Sequence, residues 1–321
     1  MKKILIGIDS LRIGGIQTAL LNMLHEMDTD NYEITVKLFH YQDDYNALLP
    51  DNIKIEKSSA VLDTMNLTAA EAKTKGIIIY AFRKLLALAC RVFGANFVYS
   101  VILRKEKAND EYDIAISYTN NGNGKSVYYG MNKYILERVK AKQKFAWVHV
   151  DYEALNMNTP QNNAEYNRFD KIVHVSQATQ NKFLIYNPTL KDKCTVIYNF
   201  INPNRLRQLA GVVQEHEIFT IVSVGRFDAN KNMSACVSIG AELKKLNISF
   251  KWVMVGDGPE YGYIQSKIAE SELQESFVLV GSQKNPYTYI ANADLYVSTS
   301  KTESFGLTNY EAISLGIPAL V

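Results

Sequence analysis

The sequence predicts an α/β fold of two domains, each built on a mostly parallel sheet and facing a shared cleft. Three observations carry this. Short β-branched runs alternate with longer helical patterns along most of the 321 residues, the pattern of stacked βαβ units. The series stops and restarts at residues 210–217, giving one domain over 1–210 and a second over 211–321. The length suits about two domains of roughly 150 residues.

The elements follow in chain order. Lys3–Ile8 reads as a first strand, Ile16–Met27 as an amphipathic helix and Tyr32–His40 as a second strand. Asp113–Ser117, Phe145–His149 and Lys171–Val175 continue the first series. The second series has strands at Ile218–Val224, Phe250–Val255, Val278–Val280 and Leu295–Val297, with helices at Asn232–Lys245 and Tyr261–Ser271. No short-period repeat or low-complexity tract interrupts them.

Composition removes several classes. With 47% hydrophobic residues and a net charge of +2 the chain is not disordered, and 17 Gly and 7 Pro exclude a collagen-like fibre. Cys90, Cys194 and Cys236 are odd in number and form no C-x-x-C pair, which argues against a disulfide framework or zinc site and for a reducing, cytoplasmic setting. Only five uncharged residues separate Lys3 from Asp9, too few for a signal peptide's apolar core of roughly 7–15. No apolar run reaches the length of about 18 residues expected of a membrane span.

The small net charge hides an asymmetry: residues 1–210 carry 27 Lys+Arg against 21 Asp+Glu, and residues 211–321 carry 8 against 12. Between Glu71 and Glu106 there is no acid, while Lys73, Lys75, Arg83, Lys84, Arg91, Arg104 and Lys105 interleave with apolar residues. Residues 73–105 therefore read either as an interfacial helix on an anionic membrane or as a core helix with a basic edge. Near-zero charge and no recognised motif speak against nucleic acid.

Four loops carry candidate chemistry. After the first strand, Ser10-Leu11-Arg12-Ile13-Gly14-Gly15 leads into a helix; paired glycines admit a ligand close to the backbone, and a helix start attracts anions, though a plain tight turn fits the loop as well. The G-x-G-x-x-G fingerprint is missing, which argues against a dinucleotide oxidoreductase despite Asp43 and Asp44 after the second strand. Gly225-Arg226 and Lys231 flank a loop at a strand end, where a guanidinium fork and an ammonium point charge could converge on one diphosphate. Gly256-Asp257-Gly258-Pro259 ends the next strand; alone it is an ordinary turn. In Glu303-Ser304-Phe305-Gly306-Leu307 through Glu311, helix N–H groups suit phosphate and the two carboxylates suit sugar hydroxyls, while acids offsetting the helix dipole are the plainer reading. His149, with Asp151 two residues on, ends a strand in the first domain, where a histidine serves as hydrogen-bonding or acid–base group or simply as structure. His174 reads as a packed strand residue.

In this order the motifs resemble the retaining nucleotide-sugar glycosyltransferases of family 4, which have the GT-B fold of two Rossmann-like domains. The likeness is strongest from Val222 onward: G-R-x-x-x-x-K at Gly225–Lys231, G-D-G-P at Gly256–Pro259, and Glu303 and Glu311 separated by seven residues. The resemblance implies a UDP- or GDP-linked sugar donor and a glycan or lipid-linked acceptor, with no cofactor and no metal. Arg226 and Lys231 would neutralise the departing diphosphate. Ser304, Phe305, Gly306 and Leu307 would offer N–H groups, Glu303 would meet the transferred sugar, and Glu311 the ribose. Gly14, Gly15, Gly225 and Gly256 would approach the donor, and His149 would touch the sugar. The expected setting is synthesis of a bacterial capsule, exopolysaccharide or other surface glycan, peripheral at the inner face of the plasma membrane. A catalytically inactive nucleotide-sugar-binding partner subunit and a nucleotide-sugar epimerase are the alternatives. Family members continue past the position of Val321, so the second domain is expected to be incomplete.

Overall fold

The computed structural model describes residues 1–12, 14–41, 48–106, 108 and 110–321; Ile13, Asp43 and Asp44 lie outside the described residues. The chain divides into two compact units, Met1–Phe200 and Ile201–Val321.

The first unit has seven parallel strands: β1 (Lys2–Ile8), β2 (Tyr32–Leu38), β3 (Lys54–Lys57), β4 (Glu111–Ser117), β5 (Lys140–Val148), β6 (Lys171–His174) and β7 (Cys194–Val196). Their order in the sheet is β3-β2-β1-β4-β5-β6-β7. β1 lies inside the sheet, with Leu5 beside Thr35 on one side and Ala115 on the other. Its continuous burial from Ile4 follows from helices covering both faces of a parallel sheet. Phe39, Tyr99, Tyr134, Val148 and Phe169 contribute to the adjoining core.

Two of these strands depart from the hydrophobic pattern that marks the others. β3 reads as polar because three of its four residues are charged, yet Glu56 is buried and takes a 3.0 Å ion pair from the equally buried Lys37 of β2; Lys37 also reaches Glu106 at 3.4 Å. Buried charges are tolerated only when paired in this way, and removing one partner costs about 3–5 kcal/mol. β5 begins at Lys140, ahead of the predicted Phe145, since Lys140 and Lys142 pair across the strand with Glu111 (2.9 Å) and Asp113 (2.6 Å).

Four helices, Ala60–Met65, Ala69–Thr74, Ile77–Phe93 and Ala95–Ile102, separate β3 from β4. The third buries Arg83 and Cys90 and packs Leu86 and Ala87 against the core. Its opposite side is apolar and open: Ile77, Ile78, Leu85 and Val92 are 82%, 80%, 60% and 64% exposed. A core helix with a basic edge does not describe this element. Arg83 leaves the basic set as well, because its Nε donates to the Leu67 carbonyl at 2.5 Å from inside the unit.

The second unit is a five-stranded parallel sheet of β8 (Thr220–Val224), β9 (Lys251–Val255), β10 (Phe277–Gly281), β11 (Leu295–Val297) and β12 (Ala319–Leu320), ordered β10-β9-β8-β11-β12. The units meet at 200/201 rather than 210/211. The helix Pro203–Ala210 belongs to the second unit, because its Leu206 and Ala210 join a core with Val222, Ile290 and Tyr296. Moving Arg205 and Arg207 across changes the charge split from +6 and −4 to +4 and −2. The basic window, not the unit as a whole, therefore carries the charge signal.

In both sheets the strand order reverses once, between β1 and β4 in the first unit and between β8 and β11 in the second. Loops leaving the carboxyl ends of such a pair diverge and open a crevice, the usual ligand position in an open α/β sheet.

Candidate functional site

At the reversal in the second unit, the loop after β8 and the loop after β11 are stitched together. The Lys301 N–H donates to the Asn230 carbonyl at 2.8 Å, and the Thr302 hydroxyl to Asn230 Oδ1 at 2.7 Å. The Thr299 hydroxyl meets the carbonyls of Lys231 and Asn232 at 3.1 and 3.0 Å. Asp228 organises the first loop by accepting the N–H groups of Asn230 (3.1 Å) and Lys231 (3.0 Å). Lys231 is thereby aimed at Glu303, with Nζ 2.5 Å from Oε1 and about a quarter of each side chain (25% and 27%) open to solvent. Arg226 stands more freely, with 70% of its side chain exposed and its Nε 3.8 Å from Asp228.

The glycines of this region have distinct tasks. Gly256 has φ 148°, and a Cβ there would lie 1.8 Å from the Gly225 carbonyl oxygen; a Cβ on Gly258 would lie 2.4 Å from that of Phe227. What both admit in this chain is the neighbouring loop's backbone, which seals β9 against the Gly225–Phe227 turn through Phe227 N–H to Asp257 O at 2.9 Å. Gly306 has φ 75° and heads the helix Leu307–Ser314 with no side-chain cap. The Asn309 N–H is taken by the Gly306 carbonyl at 3.0 Å, and the start of the helix ahead of it is open to a ligand or water. Ser304 and Phe305 lead into this turn, and the Phe305 ring stacks on Tyr310 at 4.9 Å.

Glu311 lies inside that helix and is only 2% exposed. The Tyr287 hydroxyl donates to its Oε1 at 2.9 Å. Burial outweighs this bond and pushes the carboxyl up to about 7. Glu303 and Glu311 thus differ in kind: one is a solvated, ion-paired carboxylate and the other a buried acid whose titration burial has moved to about 7.

In the first unit, Gly14 heads the helix Gly15–Glu26 without a side-chain cap, and a Cβ on Gly15 would meet nothing within 4 Å. His149 follows β5 and is buried; Asn120 Oδ1 accepts its backbone N–H at 2.9 Å, and its ring lies 4.5 Å from that of Tyr118. Burial depresses its imidazole to about 3, so the ring is neutral at physiological pH and suits hydrogen bonding rather than proton donation as imidazolium. Nε2 has no partner among the described residues. His174 is packed within β6 against Phe183 at 5.0 Å, as its strand pattern predicts.

Sequence reasoning passed over Asp9, which closes β1 at the reversal. It is buried, takes the Thr119 hydroxyl on Oδ2 at 3.2 Å, and leaves Oδ1 unpartnered among the described residues. Burial raises it to about 7, against the opposing pull of Thr119 and Arg12. A lone acid ending an apolar strand was the available signal. Arg12, on the next turn, is instead held by a fork to Glu71 at 2.8 and 2.7 Å and does not point to an anion site. Among the described residues no group of three or more His, Cys, Asp or Glu is placed to hold a metal ion.

Each unit is a parallel α/β sheet whose strand order reverses once, and the fold is that of the GT-B class. Staphylococcus aureus TarM, solved with fondaparinux, alpha-GlcNAc-glycerol and UDP, superposes with a TM-score of 0.67 at 13% identity, covering 99% of this chain and 85% of that one. Anabaena HepE, solved with UDP and glucose, gives 0.61 at 18% identity over 99% and 80%. Residues 210–321 match the family of glycosyl transferases group 1. A Campylobacter jejuni N-acetylgalactosamine-N,N'-diacetylbacillosaminyl-diphospho-undecaprenol 4-alpha-N-acetylgalactosaminyltransferase is 30% identical over 122 residues, 38% of this chain and 33% of that protein. A Streptococcus pneumoniae alpha-monoglucosyldiacylglycerol synthase is 28% identical over 121 residues, 37% of this chain and 27% of its own. The chain thus aligns with less than half the length of these curated relatives.

Proposed function

We propose that the protein transfers a sugar from a UDP- or GDP-linked donor to a glycan or lipid-linked acceptor with retention of anomeric configuration. The observation that carries this is the Lys231–Glu303 pair, set at the reversal of the second sheet beside the uncapped start of the Gly306 helix. Lys231 and Arg226 neutralise the diphosphate, the N–H groups from Ser304 to Leu307 take its oxygens or the sugar's, Glu303 accepts from sugar hydroxyls, and Glu311 accepts from the ribose. Gly225 shapes the Arg226–Lys231 loop, and Gly256 holds the loop beneath it. The neutral His149 donates to a sugar hydroxyl, and Gly14 and Gly15 present the first unit's open helix start.

In the reaction, the bond between the anomeric carbon and the diphosphate oxygen breaks, and its electron pair leaves with that oxygen. The acceptor hydroxyl oxygen bonds to the same face of the carbon, and its proton passes to the departing diphosphate. Cations placed where negative charge grows lower the barrier. Incubating the protein with a panel of UDP- and GDP-sugars should give donor cleavage with one nucleotide series only, and NMR of the product should show the donor's anomeric configuration. An inverted product, or no turnover with any donor, would sink the reading.

A membrane-bound setting is part of the same proposal. The open apolar side of the Ile77–Phe93 helix, flanked by Lys84 and Arg91, suits an anionic bilayer. Each fully buried aliphatic side chain contributes about 1.5–3 kcal/mol, and each cation near the surface about 1 kcal/mol. The Ile77→Ser/Ile78→Ser chain should lose most of its co-sedimentation with phosphatidylglycerol vesicles while keeping its melting temperature. Equal co-sedimentation of both chains would count against docking through this helix.

A further inference from the structure

A half-open pocket of about 650 Å³ lies at the junction of the Ile77–Phe93 and Ala95–Ile102 helices. Its walls include Arg91, Phe93, Phe97, Lys125 and Thr159, with no Asp or Glu among the lining residues. Neither Arg91 nor Lys125 has an ion-pair partner among the described residues. The wall is fixed: Gly94, at φ 83°, turns the chain between the helices, and the Ala95 N–H donates to the Gly124 carbonyl at 2.8 Å. Asn123 Oδ1 accepts the Lys125 N–H at 3.1 Å and shapes the loop that brings this cation in.

We propose that this pocket binds the phosphate-bearing head group of a membrane lipid. Two unpaired cations with no acid present are complementary to phosphate. A free anion would not account for the rest of the wall, where Phe93 and Phe97 lie 6.3 Å apart and stay exposed, in line with the apolar side of the longer helix. An acyl or prenyl chain leaving the head group has that surface to follow. The loops that bring Lys125 and Thr159 leave the carboxyl ends of β4 and β5, the sheet edge that also carries Asp9 and His149. Lipid binding here stands without the glycosyl transfer proposed above; only the lipid's role as acceptor rests on that reading.

Farnesyl diphosphate is a water-soluble probe of this site, and calorimetry on the full chain without vesicles or sugar donor reads its binding. The expected result is binding that weakens at least tenfold in the Arg91→Gln/Lys125→Gln chain and is unchanged in a Lys231→Ala chain, whose donor-side cation is gone. Inorganic pyrophosphate should bind at least tenfold more weakly, and Phe97→Ser should narrow that gap. Equal affinity for farnesyl diphosphate and pyrophosphate would overturn the lipid assignment. Affinity lost with Lys231→Ala but kept in the Arg91/Lys125 chain would place the probe on the donor side and overturn the site. Vesicle docking through Ile77 and Ile78 can fail while the probe still binds, and donor cleavage plays no part in the measurement, so each reading falls separately.

Discussion

Replacing Lys231 by Ala should lower kcat for sugar transfer by about 10²–10³, the loss typical of removing one preorganised group that meets charge as it develops. In the free chain Lys231 is held by Glu303 at 2.5 Å, by the Asp228 cap on its own N–H and by the Thr299 hydroxyl on its carbonyl. A departing diphosphate competes with Glu303 for the ammonium, and Glu303 is then released to sugar hydroxyls. The two side chains are therefore expected to act as one unit. Glu303→Gln should cost a similar factor, and the double variant should cost far less than the product of the two. Stability should hardly move, since a pair this exposed contributes about 0–1 kcal/mol. Arg226→Ala should fall mainly on donor KM, because among the described residues that guanidinium has no fixed partner closer than Asp228 at 3.8 Å. Steady-state kinetics with thermal melts on each chain decide the matter; a Lys231→Ala chain with unreduced kcat would remove the lysine from the reaction.

The parts of this fold legible in the sequence are those where one signal dominates. Central strands such as β1, apolar from Ile4 onward, and β8, with Ile221, Val222 and Val224, carry a plain strand pattern, and the loops after them hold Gly, Arg and Lys in a recognisable order. The edge strand β3 escaped because its stabilising residues are charges buried in pairs, and the start of β5 because its lysines pair across the sheet. The compact units divide ten residues ahead of the expected boundary for a related reason: nothing local in Pro203–Ala210 says which core its Leu206 joins. The same limit applies to the candidate site. Residue types gave Glu303 and Glu311 alike, whereas their environments, one paired in solvent and one sealed against Tyr287, come from contacts made across the fold. Asp9 shows it again, as an ordinary strand-end acid until the structure buries it beside Thr119.

The buried state of Glu311 leads to a second large effect, in which nucleotide binding releases a proton. Its carboxyl titrates at about 7 in the free chain, against 4.5 when unconstrained. Ribose hydroxyls donating to it favour the ionised form, so the bound pKa must fall. Near pH 6.5 about half a proton or more should leave per nucleotide bound, and the release should vanish above about pH 8.5, where the free acid is already ionised. Calorimetry in two buffers of different ionisation enthalpy measures it. Donor KM should accordingly rise as pH falls below 7. Glu311→Gln should remove this pH dependence and weaken donor binding about tenfold or more, the scale of a hydrogen bond to a charged group. The sign for stability runs the other way. A carboxyl raised in the folded state favours folding at low pH, and this contribution is lost as pH climbs from 4.5 to about 7. The Gln chain, with no buried charge to form, should therefore melt higher than the parent at pH 8 while binding the donor less well. A parent chain that binds nucleotide with no proton release at pH 6.5 would separate Glu311 from the ribose, and a Gln chain that melts lower at pH 8 would show that the carboxylate is stabilised by contacts other than the Tyr287 hydroxyl.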